Sequence, residues 1–209
     1  MALQSTVRTN YSPRVQKTAH WILRTLGWTL MGKRPPHNRL VITAVPHTTN
    51  WDLFYMLMVS LALNIPAVFT LKDTWFFWPL GPLFRWMGGI PINRRESTNL
   101  VDQIIEAFEH YDDMYLVITP EGTRKEVKHW KTGYYWIAKG ADAAILPAFI
   151  NYENKFTGVA DEPFEVTGDF EADFQAIAAF YESKVGVKPA YDPARLPEAA
   201  RKDRERDAS

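Results

Sequence analysis

Leu40-Val41-Ile42-Thr43-Ala44-Val45-Pro46-His47-Thr48-Thr49-Asn50-Trp51-Asp52 is the stretch whose reading decides the fold. Its first six residues are apolar except Thr43 and rich in β-branched side chains, the pattern of a strand buried on both faces. Pro46 lacks a backbone N–H and ends the strand. Pro-His-Thr-Thr-Asn then reads as a loop, with Thr49 or Asn50 able to cap a helix over residues 51–63. On one continuous helix His47 and Asp52 would point about 140° apart. They meet only if His47 stays in the loop and Asp52 lies in the first helical turn, where its charge also complements the helix dipole. A carboxylate beside one imidazole nitrogen fixes the tautomer and makes the other nitrogen a better base. The competing reading is a loop histidine and a helix carboxylate that never touch, and the bare His-x4-Asp spacing does not decide between them.

Outward from this junction the chain alternates. Residues 14–31 read as an amphipathic helix, with Val15, Ile22, Leu26 and Leu30 apolar, Arg14, Lys17 and Arg24 basic, and Trp21 and Trp28 among them. That make-up suits a helix in a membrane interface, or one docked on the domain. Residues 67–71 and 89–92 read as strands and 73–87 as short aromatic helices broken by proline. Residues 97–111 form an amphipathic helix with Leu100, Val101, Ile104, Ile105 and Phe108 at helical spacing. Residues 114–119 make a strand running into Pro120-Glu121-Gly122-Thr123-Arg124, followed by a helix at 133–140, strands at 144–150 and 164–167, and a helix at 170–185. The expected class is α/β, with a mixed, mostly parallel sheet flanked by helices and an N-terminal amphipathic helix. The expected division is an N-terminal interface helix in residues 1–35, the main domain in 36–190 and a charged, mobile tail in 191–209. In such sheets, sites gather in the loops after strand ends.

Composition narrows the chemistry. The chain has 209 residues, and Lys+Arg and Asp+Glu both number 24, so no net charge draws it to nucleic acid. With no cysteine, a disulfide framework, a thiolate metal site and a cysteine nucleophile are excluded. No Gly-x-Ser-x-Gly elbow, His-Glu-x-x-His or phosphate-binding P-loop occurs. A covalent acyl-enzyme therefore lacks an obvious nucleophile, and direct attack by an activated substrate hydroxyl is simpler. The start of the chain is polar and carries no apolar signal-peptide core. The uncharged run 53–71 is long enough to span a bilayer. Ser60, Asn64, Pro66 and Thr70 interrupt it, so a core helix followed by a buried strand is expected instead.

Two further loops carry polar groups suited to an anion. Arg94 and Arg95 follow the strand at 89–92 and offer guanidinium forks. In Glu121-Gly122-Thr123-Arg124, Gly122 permits a tight turn, Thr123 offers a hydroxyl and Arg124 a phosphate fork, while Glu121 can pair with an arginine or a substrate hydroxyl. Lys128, His129 and Lys131 add positive or titratable groups downstream. Taken singly, each of these reads equally as a solvated polar turn.

Taken in order, the elements resemble the glycerolipid acyltransferase superfamily, the PlsC-like or 1-acyl-sn-glycerol-3-phosphate acyltransferase family. The family's His-x4-Asp block is matched by His47-Thr48-Thr49-Asn50-Trp51-Asp52. Its Gly-x-Ile-x-Ile-x-Arg run is matched by Gly88-Gly89-Ile90-Pro91-Ile92-Asn93-Arg94. Its Pro-Glu-Gly-Thr-Arg block is matched by Pro120 to Arg124, and its apolar strand with a proline by Ile145-Leu146-Pro147-Ala148. The resemblance covers roughly residues 40–150, and more loosely the chain to about 190. Pro46 stands where lysophosphatidate enzymes often carry Asn, and Thr119 where Phe is usual.

The resemblance implies a glycerol-3-phosphate acyltransferase-like fold, with His47 as general base and Asp52 orienting it. Arg94 would hold the acceptor phosphate, Glu121, Gly122 and Arg124 would shape the acceptor site, and Pro147 would shape the acyl or thioester side. From their own chemistry Thr123 and Lys131 join the substrate-binding candidates, Lys131 for a phosphate or the CoA nucleotide. The implied donor is acyl-CoA or acyl carrier protein as co-substrate, with no cofactor and no metal. The implied acceptor is a lysophospholipid, 1-acyl-sn-glycerol-3-phosphate first among them. Association with a membrane surface, peripheral or monotopic and on the cytoplasmic side, follows from the lipid substrate. The alternatives are a catalytically silent lipid-binding module on the same fold and an acyl hydrolase. Oligomeric state is not legible.

Overall fold

The computed structural model describes residues 10–86, 88–92, 100–111, 113–125 and 127–197. Its elements run α1 (Pro13–Thr25), β1 (Thr29–Met31), β2 (Arg39–Val45), α2 (Trp51–Ala62), β3 (Ala67–Lys72), α3 (Leu80–Trp86), β4 (Gly89–Ile92), α4 (Leu100–Glu109), β5 (Met114–Ile118), α5 (Gly133–Gly140), β6 (Ala144–Asn151), β7 (Phe156–Val159) and α6 (Phe170–Val185). The strands form one seven-stranded sheet in the order β1-β7-β6-β2-β5-β3-β4. Every pairing is parallel except β6 with β7. This is the mixed, mostly parallel α/β sheet that the alternation of apolar runs predicts.

β2 and β6 are adjacent inner strands and are buried almost throughout, which is why both read as continuous apolar runs. Their side chains alternate between two cores. Val41, Val45, Ile145 and Phe149 share a cluster with Phe108 of α4, Tyr134 and Tyr135 of α5, and Phe174 and Tyr181 of α6. Leu40, Ile42, Leu146 and Ala148 join Val59 of α2 in the other. α1 begins with Ser12 as cap, its hydroxyl accepting from the Val15 N–H, and with Pro13 in the first turn. It packs Ala19 and Leu23 in a third cluster with Trp28 and Met58 of α2.

Four elements differ from the sequence expectation. The helix expected over 14–31 stops at Thr25. Gly27, at φ +78°, turns the chain, and Thr29–Met31 becomes an edge strand beside β7. β7 itself was not expected. Residues 164–167 form no full strand, contributing only an isolated bridge between Phe164 and Ile145. The charged tail is docked at its start: Pro193–Arg195 make a 3-10 turn and Leu196 is buried against the core. The run 53–71 resolves into α2 and β3, and no helix among the described residues is long and apolar enough to cross a membrane.

Candidate active site

β2, β5 and β6 run parallel side by side, so the loops leaving their C-terminal ends meet at one edge of the sheet. After β2 comes Pro46-His47-Thr48-Thr49-Asn50, after β5 the Pro120–Arg124 turn, and after β6 Tyr152. The first two are joined directly: the His47 backbone N–H donates to Glu121 Oε2 at 2.8 Å. Gly122 sits at φ +65°, and its N–H donates to the Thr119 carbonyl, closing the turn that presents Glu121.

Asp52 lies in the first turn of α2 and is 2 % exposed. Its carboxylate is held on both oxygens. Oδ2 accepts the Thr48 and Thr49 N–H groups at 2.5 and 2.7 Å, and Oδ1 accepts the Thr49 hydroxyl at 3.1 Å and the Tyr152 hydroxyl at 2.5 Å. A buried carboxylate needs such donors, because leaving it unpaired costs several kcal/mol or more. His47 Nδ1 stands 3.6 Å from Asp52 Oδ2, close enough for strong charge interaction but longer than a hydrogen bond. Loop and first helical turn thus bring the pair together as the junction requires. Asn50 occupies the N-cap position without a side-chain cap bond, and the Thr49 hydroxyl accepts the Trp51 N–H in a local turn.

The His47 side chain is 26 % exposed. Burial pushes its imidazole below the ordinary histidine value; the Asp52 carboxylate opposes this and the Arg124 charge adds to it. The net direction favours the neutral imidazole, the form a base must have. With Nδ1 toward Asp52, Nε2 remains for a substrate. Burial raises the Glu121 carboxyl, countered by its bond from the His47 N–H and reinforced by the Asp52 charge.

A cleft of about 390 Å³ opens here, lined by Pro46, His47, Glu121 and Arg124, by Lys125, Lys128 and Trp130, and by residues 186–190, which carry Lys188. The last segment arrives through α6. The Tyr181 hydroxyl is bonded to Thr43 of β2, latching the helix to the sheet, and Gly186 ends it in the left-handed conformation at φ +67°. The Trp130 N–H then donates to the Ala190 carbonyl, fixing the segment beside the cleft. The walls hold Arg124 and three lysines against Glu121, with Asp52 buried behind, so the cleft favours an anion.

Of the residues expected at the site, His47, Glu121 and Arg124 line this cleft and Asp52 backs His47. Gly122, Thr123 and Lys131 do not line it. The Lys131 side chain lies over Gly122, and the Thr123 hydroxyl accepts the Lys125 N–H at 3.3 Å within the turn. Arg94, with Arg95, lies outside the described residues. Tyr152 and Lys188 were not foreseen: each reaches the site through a distant element, and neither stands in a motif.

A model of the acyltransferase family matches residues 28–151. The chain belongs to the acyltransferase family. The matched part of this acyltransferase holds β1 to β6 with His47, Asp52 and the Pro120–Arg124 turn, and stops before Tyr152 and residues 186–190. The acyltransferase is also similar in structure to the 1-acyl-sn-glycerophosphate (LPA) acyltransferase, PlsC, from Thermotoga maritima. That likeness has a TM-score of 0.57 at 15% identity over 81% of this chain and 78% of that one, and it concerns the fold. No curated protein sequence matches the chain.

Proposed function

We propose that this acyltransferase moves a fatty acyl group from acyl-CoA, or from acyl carrier protein, to a hydroxyl of a lysophospholipid, with 1-acyl-sn-glycerol-3-phosphate as first choice and phosphatidate as product. The observation that carries the reading is a half-buried His47 beside the buried Asp52 carboxylate, opening on a cation-walled cleft. His47 Nε2 takes the proton of the acceptor hydroxyl as its oxygen attacks the thioester carbonyl. The Asp52 charge stabilises the imidazolium that forms. The tetrahedral intermediate collapses with loss of the thiolate, which takes the proton back from His47. Arg124 and the neighbouring lysines attract the acceptor phosphate, and Arg94 remains a candidate for the same group on the resemblance alone. Gly122 shapes the turn, and Thr123 and Lys131 support it rather than face the substrate.

The N–H groups of Thr48, Thr49 and Trp51 are engaged by Asp52 and Thr49 and do not serve as donors to the oxyanion. Contact with a membrane surface, peripheral or monotopic, is supported by Trp21 on α1, Leu26 just after it, Trp51 and Leu53 on α2, and Trp75, Phe77 and Trp78 after β3, all exposed. An apolar groove of about 610 Å³ between α1 and α2 adds to that surface.

The test is a donor-by-acceptor screen, starting with palmitoyl-CoA and lysophosphatidate in mixed micelles, read by thiol release and lipid mass spectrometry. Phosphatidate should form, and His47→Ala should lose at least about a thousandfold in turnover with its melting temperature retained. Full activity in that variant sinks the mechanism. Lysolipid binding without transfer across all donors would mean a silent binding module, and fatty acid release without an acceptor would mean a hydrolase.

A further inference from the structure

Asp52 is oriented from a place that the His-x4-Asp block does not contain. Three of its four donors come from the adjacent loop, through Thr48 and Thr49. The fourth is the hydroxyl of Tyr152, a hundred residues away, in the turn that follows β6. It binds Oδ1, the oxygen turned away from His47, while Oδ2 is the one 3.6 Å from His47 Nδ1. A carboxylate pinned at both oxygens cannot rotate about its Cβ–Cγ bond. On Oδ1 the Tyr152 hydroxyl makes the shorter of two bonds and joins the Thr49 hydroxyl in fixing the plane that the carboxylate presents to the imidazole. The ring of Tyr152 is held edge-on by Trp28 at 5.5 Å and Tyr55 at 5.8 Å between centroids, which fixes where its hydroxyl can point.

We infer that Tyr152 is a positioning residue of the acyl-transfer site, clamping Asp52 from the β6–β7 turn so that the carboxylate presents Oδ2 to His47. The inference rests on the reading of His47 as the base. The geometry has a chemical consequence. Burial, reinforced by the bond to Asp52, raises the Tyr152 phenol to about 12, so it stays a proton donor throughout the working range and never competes as a base. Its bond also draws charge from Asp52 and weakens the pull of that carboxylate on the His47 proton. The charged groups around His47 are Asp52 from α2, Glu121 and Arg124 from the Pro120–Arg124 turn, and, on the walls of the same cleft, Lys125, Lys128 and Lys188 from the segments after that turn and after α6.

Tyr152→Phe removes the hydroxyl and keeps the ring between Trp28 and Tyr55. Expected with palmitoyl-CoA and lysophosphatidate is a kcat lower by about tenfold with KM within about twofold of the parent, because no substrate contact is lost. In NMR titration of the His47 imidazole the pKa should rise, since Asp52 then carries less dispersed charge, and the acid limb of kcat/KM should move to higher pH by the same amount. A purely structural tyrosine would lower the melting temperature and leave the His47 titration where it was. An unchanged His47 titration overturns the inference, as does an unchanged kcat. Should His47→Ala retain full turnover, the base reading fails by itself; the titration needs no turnover and still decides whether Tyr152 acts on the pair.

Discussion

At the scale of single residues, the site depends on Asp52 being an acceptor on every side. Asp52→Asn places an amide opposite the Thr48 and Thr49 N–H groups and the Tyr152 hydroxyl. Its NH2 then faces donors or its partners turn away, and the charge that stabilises the imidazolium is gone. Loss of turnover by about two to four orders of magnitude is expected, together with about 1–3 kcal/mol of stability, measured by steady-state thiol release and urea unfolding. The pH profile follows from the His47 environment. Only the neutral imidazole accepts a proton, so kcat/KM falls as pH drops through the His47 pKa. Burial lowers that value, so the acid limb should lie below the ordinary histidine value of about 6.5. A limb above that value would contradict the observed environment.

At the scale of elements, the loops at one sheet edge depend on strands that the site never touches. β7 pairs antiparallel with β6 and parallel with β1, closing the sheet on the side from which Tyr152 enters. Gly158, at φ +157°, makes this possible: a Cβ there would come within 2.0 Å of the Met31 carbonyl oxygen. Gly158→Ala must push β1 away from β7, and a loss of about 3 kcal/mol in denaturant unfolding is expected. The sequence Phe-Thr-Gly-Val is short and holds a glycine, which weakens its strand signal. α6 is the counterpart, legible as an amphipathic helix over 170–185. What its periodicity could not convey is that residues 186–190 fold back over the His47 cleft.

At the scale of the whole molecule, charge and apolar surface are distributed separately. Positive side chains gather at the cleft, while aromatic side chains of α1, α2 and the segment after β3 face outward, Trp21 at 63 % and Trp78 at 84 % exposure. Such side chains gain free energy by entering a lipid interface. Replacing Trp21 and Trp78 together by Ser should weaken sedimentation with phospholipid vesicles by about tenfold or more. Equal binding by parent and variant would separate the protein from the membrane surface proposed for it.

The residues alone determined the strand-loop-helix junction at 40–52, the α/β alternation and the ordered set of blocks around His47, Arg94 and Glu121. Each of these is a local signal, carried by apolar period, proline and glycine positions and short-range spacing. The meeting of His47 with Asp52 was legible as a condition, that one lie in the loop and the other in the first turn. Only the tertiary structure decided that the condition is met, that Glu121 grips the His47 backbone, that Thr123 and Lys131 stand aside, and that Tyr152 and Lys188 arrive from β6 and α6. Parallel strands gather their C-terminal loops at one edge whatever their separation in sequence. Contacts across a hundred residues therefore leave no periodic trace, and sheet order, not chain order, selected the neighbours of the base.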